Sequence, residues 1–495
     1  MAERLDPRTP VLVGAAAITQ RESDPTRALD AVGLMAQAIR DAADEAGGRD
    51  PHRLVSQADL IFATQGSWKC QDPARLVSEQ LGISPHTVYA ELGVLQQTLF
   101  TRAGTAIANG EASVVLICGG EARARMASAA KAGVTVDPEP EAKSPADTVL
   151  SPAQQVISKL EIDRQLYVAA RQYAIIETAL RAAAGQSIDE HAREVAALWD
   201  EFAAIAATRP EAWKRDVTPL GDGKATGKNP WYSWPYTKQH VSYWTVDQAA
   251  GFILCSIEAA EAAGIPRDHW VFPHAAVESN AMIMLSERAE PNRSPAIAAN
   301  GRALTDLTGV AAAEITHLDL YSCFPSAVRV QAAELGLTTD RPWTVTGGMS
   351  FGGGPLNNYV LQSHARMMQV LREDPGSKGL VTSVSGMITK HGMGLWSTEP
   401  PVKGFQVADV SAQALSETST AAADSGYQGP ADVVGYTVTF EGDTASTGIV
   451  IARAAQAGAP THTVATTTDA DLLADMLSSE WVGRRIDVTG DGFTG

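Results

Sequence analysis

A cysteine, a histidine and a tyrosine stand close to glycine-rich turns in the second half of the sequence. Cys323 lies in LYSCFPSAVRVQAAELGL, after an apolar run that reads as a strand and before one that reads as a helix. A thiol there is either a nucleophile or acid/base group, or a small buried residue at a strand end, as most free cysteines are. His391, in SGMITKHGMG, follows the strand pattern GLVTSVSGM and reads as a loop residue returning over a pocket. Its imidazole is a candidate general base, or a loop histidine bonded to backbone. Tyr321 offers a phenolic hydroxyl to a carbonyl, or fills space as an aromatic plug.

Two further stretches have the composition of binding elements. In GDGKATGKNPWYSWPYTKQH, Lys224, Lys228 and Lys238 are interleaved with Trp231, Trp234 and Tyr236. Ammonium groups suit phosphates and flat rings suit a nucleobase, although aromatic-proline stretches also pack on themselves. VTGGMSFGGGPLNN, residues 345–358, is dense enough in glycine to require unusual backbone angles or a very close approach. It lacks GxGxxG order and has no following Lys-Ser/Thr, which argues against a phosphate-cradling P-loop.

The elements that must position these residues belong to a soluble chain. Its 495 residues suggest two to four domains, with 45% hydrophobic and 19% charged residues. There are 39 basic and 57 acidic side chains, a net −18, which disfavours loose attraction to nucleic acid or anionic membrane. The four cysteines (Cys70, Cys118, Cys255, Cys323) form no CxxC pair and no histidine clusters near them, so neither a disulfide framework nor a metal site is expected. MAERLDPRTP has no apolar signal core and no run approaches a membrane span, so a cytoplasmic protein is expected.

Strand and helix patterns alternate through residues 1–120, from PVLVGAAAIT to ASVVLICGG, and imply βαβ units with a largely parallel sheet. That half is completed by 246–268. A second pass of the same order fills 269–400, with HWVFPHAAVES, ITHLDLYSCF, WTVTGG and GLVTSVSGM as strands, the last of them closing the core. Residues 121–245 form a helical insertion ending in the aromatic segment. Residues 401–429 read as a small, polar linker. Residues 430–495 read as a small β-rich module, and from 401 onward there are four basic and twelve acidic residues.

Duplicated βαβαβ halves with a long insertion resemble the thiolase superfamily over about residues 8–400, and four motifs carry the likeness. LYSCFPSAVRVQAAELGL sits where sterol-carrier-type thiolases have their HDCFS junction, and VTGGMSFGGGPLNN where thiolases have the loop ending in GHP. VTSVSGM sits at the CxG strand, and TVYAELGVLQQTLFTRAGTAIANGEASVVLICGGEA covers the nucleophile strand, helix and next strand. With its added tail the chain looks most like thiolase-like proteins of type 1, which are acetyl-CoA acetyltransferase-like.

The resemblance implies an α/β fold of two thiolase-like halves, a helical loop insertion and a small OB-like barrel at the C-terminus. It also implies that the nucleophilic cysteine position falls on Gly93 (or Val94 with a one-residue slip), the GHP histidine on Gly354 and the CxG cysteine on Val384. Tyr321 takes the asparagine or histidine of the second-half junction. Loss of a covalent nucleophile commonly costs about 10⁶ in rate, and loss of an oxyanion donor roughly 10²–10³. If the chain is an acyltransferase of lipid metabolism, it therefore works through non-standard residues, with Cys323, His391 and Tyr321 as candidates. CoA or an acyl-CoA is the implied ligand, met by Lys224, Lys228, Trp231 and Trp234 and by the loop glycines Gly352, Gly353 and Gly354. No tightly bound cofactor or metal is implied. The alternative is a catalytically silent acyl-CoA-binding or scaffolding protein. Nucleic-acid binding through the tail is the weakest reading, since the tail is acidic and poor in aromatics. The chain is expected to be a monomer or homodimer.

Overall fold

The structure, a computed structural model, describes residues 5–455 and 458–495. Its core is two sheets with helices between them and on both outer faces. The first sheet orders its six strands Pro10–Thr19, Asp247–Ser256, Val114–Ala122, Leu60–Thr64, His86–Ala90 and Thr148–Leu150. The second orders five as His317–Asp319, Lys378–Ser385, Lys390–Ser397, Phe272–Ser279 and Gln406–Asp409. Helices Gln97–Asn109 and Tyr359–Glu373 lie between the sheets, and one apolar cluster joins them to strands of both. These are the two helices that follow the loops at Gly93 and Gly354.

Small residues set the spacing of the first half. Helix Ala31–Ala46 starts at Asp30, whose carboxylate accepts from Gly33 N at 2.7 Å, and stops at Gly47, where φ is 67°. Its alanines face Gly14 and Gly251 on adjacent strands. A Cβ at Gly251 would lie 2.6 Å from the Ala38 carbonyl carbon, and one at Gly14 would strike the Ala42 carbonyl. The AVGLMAQAIRDAADEA pattern is thus a helix whose small residues let it lie close to the sheet where Gly14 and Gly251 leave no side chain in the way.

Three expected elements differ. WTVTGG is not a strand; its amides turn to Asp319 instead of a ladder, with Val345 N and Thr346 N each 3.0 Å from Oδ2. GLVTSVSGM does not end the core, because Lys390–Ser397 turns back antiparallel to it and Gln406–Asp409 adds an edge strand parallel to Phe272–Ser279. The stretch read as a linker therefore holds a core strand and the helix Ser411–Glu417.

The C-terminal region is a closed five-stranded barrel: Gly429–Glu441, Thr444–Ala454, Thr461–Thr467, Gly492–Thr494 and Arg485–Thr489 return to the first strand. It is continuous with the insertion. Strand Trp231–Trp234 pairs with Gly429–Glu441, matching Trp234 to Val438 and Ser233 to Thr439. Helix Ala169–Ala183 packs on the same strand, where Thr178 Oγ1 donates to Tyr436 O at 2.9 Å and accepts from Tyr436 N at 3.0 Å. Among the described residues no helix is long and apolar enough to cross a membrane.

Gly251→Val is expected to destabilise the protein by about 3 kcal/mol by forcing helix Ala31–Ala46 off the sheet. Denaturant titration checks this: the midpoint falls at unchanged m-value. An unaltered midpoint would show that the helix has room to move.

Candidate functional site

A buried carboxylate organises the glycine loop. Asp319, fully buried, accepts at Oδ2 from Val345 N, Thr346 N and the Thr346 hydroxyl (2.9 Å), and at Oδ1 from Ser363 Oγ (2.9 Å) and Tyr359 (3.2 Å). Burial pushes its pKa up while these donors pull it down, and burial prevails. The loop then turns through Gly347 and Gly348, at φ 87° and 75°. A Cβ on Gly347 would lie 2.5 Å from Ala206, so only glycine lets the end of helix Ile188–Ala207 rest there.

The backbone around Gly352, Gly353 and Gly354 is engaged by the protein itself. Gly352 O accepts from Gln248 Nε2 at 2.8 Å and Trp213 N at 3.0 Å, and Gly354 N donates to Tyr243 O at 2.9 Å. A Cβ at Gly353 would strike the Gln248 amide. Next to Tyr243, Ser242 donates through N and Oγ to Cys323 O, at 3.3 and 2.8 Å. The end of the insertion thus lies across the gap between Gly354 and Cys323.

The side chains singled out around that gap are packed away. Cys323 is buried, and desolvation pushes its thiol up to about 12. A thiol so placed stays protonated at neutral pH and is a poor nucleophile. Tyr321 meets Tyr359 edge-on at 6.1 Å. His391 sits within strand Lys390–Ser397, opposite Val384, and not in a returning loop. Its ring lies between Asn300 Nδ2 (3.0 Å from Nδ1) and Gln331 Oε1 (3.3 Å from Nε2), and burial pushes its pKa down to about 3. Gln331 also donates to Tyr321 O at 2.8 Å, so the histidine and the tyrosine backbone share one tie. Gly93 has φ 104°, and a Cβ there would lie 3.0 Å from Pro152. Its carbonyl accepts from the buried ammonium of Lys390.

A cavity of about 620 Å³ opens instead between the insertion and the barrel. Lys224, Trp231 and Trp234 line it together, whereas Lys228 is outside its lining among the described residues. Lys224 pairs with Asp189 at 2.9 Å, and both are exposed. Trp234 is buried against Tyr436, with ring centroids 5.3 Å apart, and against the Arg181 guanidinium, 5.0 Å from its ring. Arg181 in turn holds Glu480 of the barrel at 2.9 Å.

The inner wall is a polar network. Glu177 accepts from Tyr236 OH and Arg329 Nη1, both at 2.6 Å, and lies 3.0 Å from His191 Nε2. Burial alone would raise its pKa; Arg329 and His191 outweigh that and hold it at about 2. His240 is beside it, 2% exposed, with its pKa pushed down to about 4 by burial. Sequence reading overlooked Glu177, His191, His240 and Arg329. The legible signal was a carboxylate inside the apolar run YAIIETAL. A wider groove of about 900 Å³, lined by Trp68, Arg123 and Glu139, lies where the first half meets the insertion.

Residues 411–493 match the family model of the thiolase-like protein type 1 additional C-terminal domain. Among solved structures, the chain is similar to a monomeric SCP2-thiolase-like protein type 1 from Mycobacterium smegmatis, with 27% identity, a TM-score of 0.80 and 98% of both chains covered. An acetyl-CoA acetyltransferase from Syntrophomonas wolfei (15% identity, TM-score 0.53) is covered over 99% of its length by 79% of this chain. The dimeric peroxisomal thiolase of Saccharomyces cerevisiae (14%, 0.53) is covered over 99% by 80%. These last two share the fold. No curated protein sequence matches the chain.

The buried histidines make stability pH-dependent. His240 and His462 are held at about 4, and His364 and His391 at about 3, each because burial disfavours the imidazolium. An unfolded histidine titrates near 6.5, so below that pH the unfolded chain binds more protons. Stability from the neutral rings is complete above about pH 6.5 and is lost as pH falls toward 4 and then 3. Urea midpoints at pH 7.0, 5.5 and 4.5 are expected to fall in that order; a flat profile would contradict the burial of these rings.

Proposed function

We propose that the chain, which is similar in fold to a monomeric SCP2-thiolase-like protein type 1 and matches that family's additional C-terminal domain over residues 411–493, binds CoA or an acyl-CoA reversibly, without a covalent acyl-enzyme. The supporting observation is the convergence of Lys224, Trp231 and Trp234 on one cavity of about 620 Å³, within the range of small-molecule sites. In this reading the phosphates meet Lys224 at the mouth. Its pair with Asp189 is exposed and costs little to open, about 1 kcal/mol or less. Trp231, half-buried, offers a face to the adenine, and the acyl arm runs inward along Val195, Trp234 and Tyr236.

An acyltransferase that forms an acyl-enzyme on Cys323 needs a thiolate. Cys323 is held protonated by burial, and Gly93, Gly354 and Val384 bring no reactive side chain. The nucleic-acid reading is disfavoured because Arg484 and Arg485 are spent on Asp475 and Asp432 within the barrel. The same reading takes the protein as a cytoplasmic monomer, with strand Thr148–Leu150 covering the edge of the first sheet.

Native and intact-mass spectrometry with CoA, acetyl-CoA and a longer 3-ketoacyl-CoA tests this. A non-covalent complex is expected, with no acyl mass on Cys323 and unchanged binding in Cys323→Ala. Lys224→Glu and Trp231→Ala are each expected to weaken it about tenfold, equivalent to about 1.4 kcal/mol. A covalent adduct, or no complex with any of the three, would overturn the proposal.

A further inference from the structure

The wall of the cavity is almost fully satisfied internally. Tyr236 donates to Glu177; Glu177 is met from three sides; His191 lies 2.9 Å from Gln186 Oε1 and 3.0 Å from Glu177. Arg181 reaches Glu480 and, at 2.8 Å, Tyr436 OH. Among the described residues, His240 Nε2 is the one buried side-chain polar atom of the lining without a hydrogen-bond partner.

Which proton that nitrogen carries is fixed from the other side of the ring. His240 Nδ1 lies 3.1 Å from Thr237 N, a backbone group that can only donate, so Nδ1 accepts. The Thr237 hydroxyl, 3.0 Å away, adds to this: Asn229 Nδ2 donates to it at 2.8 Å, leaving its proton for Nδ1. Asn229 is itself held by Gln239 N, which donates to its Oδ1 at 2.9 Å. The neutral ring therefore carries its proton on Nε2, as a donor lacking an acceptor. A buried donor without a partner calls for an explanation, a functional role or a bound group among them, and this one faces a cavity. Depth selects the kind of ligand atom. His240 is 2% exposed between Trp199 and Tyr236, while Lys224 at the mouth is about half exposed.

We propose that His240 Nε2–H is the donor to the thioester carbonyl oxygen of a bound acyl-CoA, making the site selective for the acylated over the free or thioether form. This rests on the acyl-CoA reading of the cavity. Thr237 and Asn229 act as positioning residues that keep the proton on Nε2. Glu177, already engaged by three donors, keeps the inner wall ionic and fixed.

Calorimetry on the full chain compares acetyl-CoA with S-ethyl-CoA, in which a methylene replaces the carbonyl. The wild type is expected to prefer the thioester about tenfold. His240→Phe should erase that preference while still binding S-ethyl-CoA, and Thr237→Val, which removes the hydroxyl's bond to Nδ1 and keeps the backbone amide's, should reduce it only in part. With ¹³C-carbonyl acetyl-CoA, the carbonyl band should move to lower wavenumber on the wild type; this needs no variant to fold. Equal affinities and an unmoved band on a wild type that still binds CoA would overturn the role of His240 and leave the acyl-CoA reading standing. No binding of either compound or of CoA would overturn both.

Discussion

Everything distinctive about this molecule depends on one strand pairing across some 200 residues of chain. Trp231–Trp234, at the end of the insertion, hydrogen-bonds to Gly429–Glu441 of the barrel. Around that seam Arg181 is buried against Trp234 and Tyr436 and is neutralised by Glu480. A guanidinium at 1% exposure is tolerable only with such partners, since an unpaired buried charge is strongly destabilising. The barrel is therefore a structural extension of the insertion and supplies Leu477, Ser478 and Glu480 to the cavity that the two enclose.

The loop at residues 345–358 persists for reasons that do not require catalysis. Asp319 draws two amides and several hydroxyls toward itself, and the glycines give way to helix Ile188–Ala207 and to Gln248. With Ser242 and Tyr243 bonded to Cys323 and Gly354, the geometry is that of a packing joint. Glycine density thus marked close approach correctly, but what approaches is protein.

Much of the core was legible. Apolar runs alternating with amphipathic helices identified the two halves and the β-rich tail, because those elements bury one face and their period records it. Less legible were the elements whose partners are remote. Gln406–Asp409 is a short edge strand in a small, polar segment, exposed along half its length and held by the ladder to Phe272–Ser279. WTVTGG has a strand's composition, yet Asp319 outcompetes a ladder for its amides. KHGMGLWS carries two glycines where a strand ordinarily has side chains, and Gln97 packs against both. Of the site, the lysine and tryptophans were visible as types. The polar wall of Glu177, His191 and His240 forms only when helices Ala169–Ala183 and Ile188–Ala207 meet the segment after Trp234.

The claim at the centre of this account is that the ligand site lies between insertion and barrel and not at the thiolase-like loop. Hydrogen–deuterium exchange of the full chain, with and without saturating acetyl-CoA, addresses it most directly. The account predicts added protection in residues 186–192, 223–240 and 477–480, with 345–358 unchanged. Protection confined to 345–358 and the segment around Cys323 would contradict it.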